Sequence, residues 1–529
     1  MGGFRYSDVI AAVVPEFFYS YIKSTNTHQN SMGSGVTYDI LAGGLIDQFL
    51  TGTPTKTFWR HKHAKVTKFA LESVTQQFNT ATSFGSESQC LLNRMGDMVY
   101  FLYLKCHLPG MQACDPTSQA CAGLVSGGQF PSAMDAGGAC NPSKAADEAA
   151  LIEFLPSDFN DLTAEQQVDA LREAKDRWLA ANYGAARAKS CCTDNDADCP
   201  DQHCPEVGDL WAHWTNDVGH FMINKAKLTI GGQMIDQLWG TFLFCWEELS
   251  GKSGRRLTEM VGRRYVRSSL LCDSSESRTL YIPLPFFFTQ SPGAALPLAA
   301  LAYHGVQINV DFAKLEELVV VSRSDIAVRN ARTGLALTAS DLKAELEVTY
   351  VYLDQAERDK FQSAHFEQIF VQTQHYFKTD NKRDFRTSLT FNHPTLELIF
   401  AVRRQCHAKC NNWGNLSGID GRDPIAKAQL FLNTADRFGD KEALYYRTVV
   451  PYQFHSNLPE SYVYCMCFAM MPEDTLEPSG SCNLSRIDHV ELFLTMQEGL
   501  ANENYTVIIF SRSWNLMRYR EGVAGAAFQ

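Results

Sequence analysis

The sequence predicts an all-β protein made of two antiparallel β-sandwiches in tandem. Three observations carry that prediction. Residues 280–310 contain no Asp, Glu, Lys or Arg, yet Pro283, Pro285, Pro292 and Pro297 interrupt them. A proline lacks a backbone donor and clashes with the preceding helical turn, so one long membrane-spanning helix is excluded. Three short buried strands are expected instead, over 281–289, 295–303 and 305–312. The last of these alternates, with Val306, Ile308, Val310 and Phe312 on one face and Gln307, Asn309 and Asp311 on the other, which is the period of a half-buried strand. Finally, two strand-rich regions share a rhythm. "LPLAALAYHGVQINVDF" and "LEVTYVYL" in the first parallel "YVYCMCFAM", "IDHVELFLTM" and "YTVIIFSR" in the second. Residue identity between the halves is low, so the order of blocks carries the inference of duplication.

Composition agrees. A chain of 529 residues allows about two to four domains. Its 33 Phe, 20 Tyr and 8 Trp suit the space between packed sheets. The net charge is −12, but residues 111–210 hold 17 acidic against 6 basic residues, which is −11 and leaves −1 for the remainder. No stretch is basic enough for direct nucleic-acid binding.

Along the chain, residues 1–41 read as an N-terminal arm ending in "NSMGSGVTYD". Asp8, Pro15 and Glu16 break its apolar run, so no secretory signal is read. Tyr6 stands where the myristoylation pattern requires Ser or Thr. The arm is expected to form a short helix or extension that docks on a partner or a membrane surface, with ordinary terminal packing preferred to membrane contact. A first sandwich is expected over 42–355. Its strand pairs are "KTFWRHKHAKVTKFALESVTQQF", "SQCLLNRMGDMVYFLYLKCHLPG" turning at Gly96 and Asp97, and "FMINKAKLTIGGQMID" turning at Gly231 and Gly232. "LWGTFLFCWEELS" reads as a short helix, and "QAERDK" after Asp354 as a connector. The second sandwich is expected over 356–529, from "SLTFNHPTLELIFAVRRQ", "AKAQLFLNTADRF", "ALYYRTVVPYQFHS", "ESYVYCMCFAMMP", "SRIDHVELFLTM" and "YTVIIFSRSWNLMRY".

Residues 111–210 depart from this pattern and read as an acidic surface insertion into the first sandwich, because a buried one would strand its polar groups. Thr163 and Gln166 open a helix there as N-cap and capping-box partner. Seven of the 16 cysteines, Cys114, Cys121, Cys140, Cys191, Cys192, Cys199 and Cys204, fall in it. They suggest disulfides closing a surface excursion, with an odd one left over.

No chemical site stands out. His61 and His63 have the spacing of a metal pair, but the next Glu is Glu72, and Arg60, Lys62, Lys65 and Lys68 make this a basic strand. Asp194, Asp196 and Asp198 alternate as in a calcium loop, but Cys199 and Pro205 stand where Gly and Glu are required. Cys191, Cys192, Cys199, His203 and Cys204 are irregularly spaced for zinc, and Cys406 to Cys410 is short of ligands. Asn415, Asn483 and Asn504 head glycosylation sequons, and Asn415, in a loop, is the best candidate for a sugar. No nucleophile elbow, phosphate-binding loop or zinc-protease helix is present, and no cofactor is expected.

Blocks in order from residue 42 onward resemble the major capsid proteins of nucleocytoplasmic large DNA viruses. They are "AGGLIDQFLTGTPTKTFW", "NRMGDMVYFLYLKCHLP", "WTNDVGHFMINKAKLTIGGQMIDQLWG" with Asp236, "LYIPLPFFF…PGAALPLAALAYHGVQINVDF", "VTYVYLDQAERDKF", "LTFNHPTLELIFAVR", "PYQFHSNLP" and "EPSGSCNLSRIDHVELFL". The resemblance implies a double jelly roll, two eight-stranded barrels in one chain. It implies a homotrimer with a nearly hexagonal outline that tiles an icosahedral shell. Its partners would be itself, neighbouring capsomers, minor capsid proteins and, through the arm, an internal membrane. The protein would assemble in the host cytoplasm and reside in the virion. The arm and the long acidic insertion depart from the family pattern. The competing expectations are a secreted jelly-roll carbohydrate-binding protein, against which the missing signal counts, and a cupin-like metal enzyme, against which the poor ligand set counts.

Overall fold

The computed structural model describes residues 52–60, 63–114, 211–251, 257–264, 267–321, 326–363, 365–498, 500 and 503–528. The chain forms two compact units, Met1–Val66 and Thr67–Gln529. Every strand named here belongs to the second.

The first half forms β1 (Phe69–Gln77), β2 (Glu87–Leu91), β3 (Met98–Leu108), β4 (Met111–Cys114), β5 (Ala212–Trp214), β6 (Ile223–Ile230), β7 (Gln233–Trp239), β8 (Arg278–Pro283), β9 (Leu296–Pro297), β10 (Val306–Phe312), β11 (Val319–Val321), β12 (Ala327–Asn330) and β13 (Lys343–Leu353). The second half forms β14 (Phe366–Asp380), β15 (Asp384–Ser388), β16 (Pro394–Arg404), β17 (Ile425–Leu432), β18 (Ala435–Asp436), β19 (Lys441–Glu442), β20 (Val463–Cys467), β21 (Cys482–Asn483), β22 (Val490–Met496), β23 (Tyr505–Arg520) and β24 (Val523–Ala526). Helices used below are α1 (Val218–Phe221), α2 (Gly240–Ser250), α3 (Phe287–Gln290), α4 (Gln355–Ser363) and α5 (Val450–Phe454).

Each half is two facing antiparallel sheets, and the strand order repeats. In the first half the sheets run β1-β13-β3-β8 and β2-β10-β6-β7. In the second they run β14-β23-β16-β20 and β15-β22-β17, with β18 and β19 both on β17 in place of one continuous eighth strand. This is the double jelly roll. Alternation drives it: Leu102, Leu104 and Cys106 of β3, Leu346, Val348 and Tyr350 of β13, and Ile308 and Val310 of β10 all turn into the core. One continuous hydrophobic core runs through both halves.

Four strand expectations are corrected. Residues 281–289 and 295–303 are not continuous strands. The chain leaves β8 at Pro283, turns through α3 and a 3-10 segment (Pro292–Ala294), touches β3 again at β9, and passes through a second 3-10 segment (Leu298–Ala300). Phe286, Phe287 and Phe288 explain the first break. All three are fully buried, which a strand cannot achieve when alternate rings must face opposite sides; the helical turn lets Phe287 reach Phe370 (centroids 5.1 Å apart) while Phe288 stays beside Phe286. "ALYYRTVVPYQFHS" is helical, a π-turn (Tyr445–Val449) running into α5, with Pro451 just after the π-turn. The stretch before Gln77 yields one strand, β1; its described residues from 52 to 68 pair with nothing in a sheet. β4 also shows that the acidic segment starts with a strand, paired to β12. The remainder of that segment, with the helix read at Thr163 and with Cys121, Cys140, Cys191, Cys192, Cys199 and Cys204, lies outside the described residues, as does the arm 1–41.

Candidate assembly site: the seam between the barrels

The most built-up polar region is the seam where the two jelly rolls meet. β7 and β14 are edge strands that come together there. Asp236 Oδ1 accepts the Thr373 N–H at 2.9 Å, and the Trp239 ring stacks on His375 at 4.6 Å. The chain then enters α2 at Gly240, where a Cβ would lie 2.3 Å from the His220 carbonyl oxygen. Only glycine tolerates that approach. α2 lies against the second barrel: Phe242 meets Phe510 edge-on (5.3 Å), and the Arg512 guanidinium sits 3.8 Å over Trp246.

At the far end of α2, Glu248 Oε2 accepts the Glu460 and Ser461 N–H groups (2.8 and 2.9 Å), while the Asn457 amide donates to the Glu248 carbonyl (2.9 Å). A loop of the second barrel closes another side. Asn411, at φ +56°, donates through Nδ2 to the carbonyls of Glu316 (2.6 Å) and Val319 (2.9 Å), and Trp413 Nε1 donates to that of Glu317 (2.7 Å). The β23–β24 hairpin clasps the first barrel: Tyr303 N donates to the Gly522 carbonyl (3.0 Å), Ala524 N to His304 Nδ1 (3.2 Å) and Ala526 N to Gln233 Oε1 (3.2 Å).

Beneath α2 lies a dry ion cluster. Arg263 contacts Asp217 (2.5 Å), Glu248 (2.6 Å) and Glu247 (3.9 Å) and covers the Phe244 ring. Burial pushes Asp217 up to about 6 despite the guanidinium, and burial beside Arg263 pushes His220 down to about 3. Asp217, His220 and Glu247 converge closely enough to suggest a metal, but the guanidinium already supplies their cation. Burial likewise raises Asp236 to about 7 and lowers His375 to about 4.

Of the residues singled out in the sequence, Asp236 lies in the seam, and the other described ones do not. His63 is exposed and His61 lies outside the described residues. Cys114 is disulfide-bonded. Asn415 is half-buried, its Oδ1 accepting from Ser417 N and Oγ, whereas Asn483 and Asn504 are exposed. Cys410 is buried beside the Gln405–Lys409 turn. Among the described residues, none of these belongs to a convergent ligand group. The seam charges were missed because Asp217 and Glu397 stand alone in apolar sequence while Glu247-Glu248 and Arg263-Arg264 read as ordinary charged pairs, and neither pattern names its partner.

The family model described as "Major capsid protein N-terminus" matches residues 57–125 and 197–354, and that described as "Large eukaryotic DNA virus major capsid protein" matches 357–525. The chain belongs to the major capsid proteins of large eukaryotic DNA viruses. The capsid protein of Pyramimonas orientalis virus is 26% identical over 94% of this chain and 100% of its own length. That of Paramecium bursaria Chlorella virus 1 is also 26% identical, over 58% of this chain and 79% of the relative. Among solved structures, a chain of the PBCV-1 capsid superposes with TM-score 0.60 at 20% identity, covering 89% of this chain and 100% of that one. The Faustovirus major capsid protein gives 0.60 at 10% identity, covering 96% and 98%. As a major capsid protein the chain has a structural role: it assembles with copies of itself into the capsid, where it resides. The carbohydrate-binding alternative finds no support. Among the described residues no helix is long and apolar enough to cross a membrane.

Proposed function

We propose that three copies of this capsid protein form one capsomer of nearly hexagonal outline, the repeating brick of an icosahedral shell. The repeated strand order carries this reading, since two alike barrels per chain and a threefold axis make six similar blocks. In this reading residues 42–355, with the 111–210 insertion, form one block and 356–529 the other. The seam fixes the angle between barrels, so the outline does not depend on a flexible hinge.

Contacts between copies need apolar surface, and the described residues offer it. Phe69 and Leu71 stand exposed on β1, whose outer edge has no strand partner among the described residues, and Tyr452, Met470 and Met471 are exposed on second-barrel loops. An open apolar strand edge attracts pairing and is normally covered. The −11 charge of the insertion fits an outward tower that keeps particles apart. The arm is directed to minor capsid proteins or an internal membrane, and assembly takes place in the host cytoplasm. The protein performs no catalysis. Among the sequons, Asn483 and Asn504 present exposed side chains for a sugar, and the disulfides of the insertion include Cys114.

Native mass measurement tests the reading. Three copies of the 59.2 kDa chain weigh about 180 kDa under closed cyclic symmetry, and Leu71→Asp should release folded monomers. A wild-type protein that stays monomeric at high concentration, or imaged capsomers lacking a six-lobed outline, would overturn it.

A further inference from the structure

A second polar cluster lies on the second barrel under α2, and no part of the capsid role explains its composition. Cys465 and Cys467 are two apart on β20, so both side chains leave the same face of the strand. Glu397 of β16 is directly opposite Cys467, and Arg512 of β23 is opposite Glu397, which places a row Cys467–Glu397–Arg512 across three strands. His455, just past α5, closes over the row. Its Nε2 is 2.9 Å from Glu397 Oε2 and 3.7 Å from Cys467 Sγ, and Cys467 Sγ is 3.7 Å from the same Glu397 oxygen. The His455, Cys465 and Cys467 ligand atoms all lie within 4.8 Å of one another. The side chains of His455 and Glu397 are 0% exposed.

We propose that His455 Nε2, Cys465 Sγ, Cys467 Sγ and Glu397 Oε2 form a structural zinc site. Bond lengths near 2.0–2.3 Å and tetrahedral angles place S···N and S···O ligand pairs about 3.5 Å apart and N···O pairs about 3.3 Å apart. The separations among His455 Nε2, Cys467 Sγ and Glu397 Oε2 therefore need to change by only a few tenths of an ångström, whereas Cys465 Sγ, within 4.8 Å of the His455 and Cys467 ligand atoms, must swing further to meet Glu397. Two thiolates, one imidazole and one carboxylate are a borderline-soft set suited to zinc rather than magnesium or calcium.

The surroundings fit the same assignment. Glu473 Oε1 lies 3.2 Å from His455 Nδ1, which leaves Nε2 to face the other ligands; Arg512 Nη1 holds Glu397 Oε1 at 2.7 Å, which leaves Oε2 to do the same. Without metal, His455 carries a proton between the two glutamates and both thiols are protonated. Binding exchanges three protons, two from sulfur and one from Nε2, for one dication. The metal would pin β16, β20 and the segment after α5 directly beneath Trp246, whose ring meets His455 edge-on at 6.4 Å.

The test uses the full chain purified without chelator, with zinc measured per chain after dialysis and Co2+ titrated into the metal-stripped protein. The expected result is one zinc per chain, and thiolate-to-cobalt charge transfer with the visible bands of a tetrahedral centre. Cys465→Ser and Cys467→Ser should abolish both signals, Cys90→Ser and Cys106→Ser should leave them intact, and Glu473→Gln should weaken affinity about 10- to 100-fold. Substoichiometric zinc together with a wild-type cobalt spectrum lacking thiolate charge transfer would overturn the site. So would signals that persist in Cys467→Ser. The wild-type spectrum decides the matter even if a serine variant fails to fold.

Discussion

Three carboxylates share one guanidinium beneath α2, and that imbalance makes Arg263 the most consequential single side chain of the seam. Asp217, Glu247 and Glu248 are all buried, and removing their cation leaves negative charge without solvent. Arg263→Leu is expected to cost about 3–5 kcal/mol, read as a fall in the urea midpoint; a loss below about 1 kcal/mol would show that the cluster has little energetic role. Asp236 responds in the opposite sense. Its folded pKa of about 7 lies above the ordinary carboxylate value of 3.8 because burial penalises the charge. The native state therefore holds the proton more tightly than the unfolded chain, and the group's cost grows as pH rises from 3.8 to 7. Asparagine keeps the oxygen that accepts from Thr373 N. Asp236→Asn should thus melt higher than wild type at pH 8 and lose that advantage towards pH 4; equal melting points at both pH values would refute the account.

At the scale of elements, the β23–β24 hairpin shows how one turn secures a contact between barrels. Gly522 has φ +82°, and a Cβ there would meet Ala302 and Tyr303 at 2.9 Å. Gly522→Val therefore strains the turn and pushes off the Tyr303 loop, with an expected loss above about 1 kcal/mol and faster amide exchange at Tyr303 and Ala524. Unchanged exchange at both residues would refute it. The same scale separates what the sequence made legible from what it did not. β6, β7, β10, β13 and α2 were readable because alternation or a Gly-Gly turn is a local signal. α3 and the π-turn at Tyr445–Val449 were not, since aromatic and β-branched residues favour strands locally while burial of three consecutive phenylalanines is decided by Phe370, distant in sequence. The seam was illegible for the same reason: Glu248 pairs with Arg263 but also receives Glu460 and Ser461 from the other barrel. The repeated rhythm of strand blocks foretold two tandem sandwiches, but not the polar contacts that join them. Cys465 and Cys467 were not singled out in the sequence, because their neighbours Glu397 and His455 belong to other segments.

For the whole molecule, a continuous core through both halves and a polar seam predict one cooperative unit. Calorimetry of the chain should give a single unfolding transition whose calorimetric and van't Hoff enthalpies agree; two resolved transitions would mean that the barrels melt independently. The strand order has a further consequence for synthesis. In each barrel the strand at the middle of the larger sheet is the last long one translated, β13 between β1 and β3 and β23 between β14 and β16. A ribosome that has not yet passed Arg520 holds a nascent second barrel with a gap through its centre and two sticky edges facing each other. Such late, long-range closure is slow and prone to clumping, so the facing edges of β14 and β16 are the aggregation hazard of the nascent chain until the missing strand arrives.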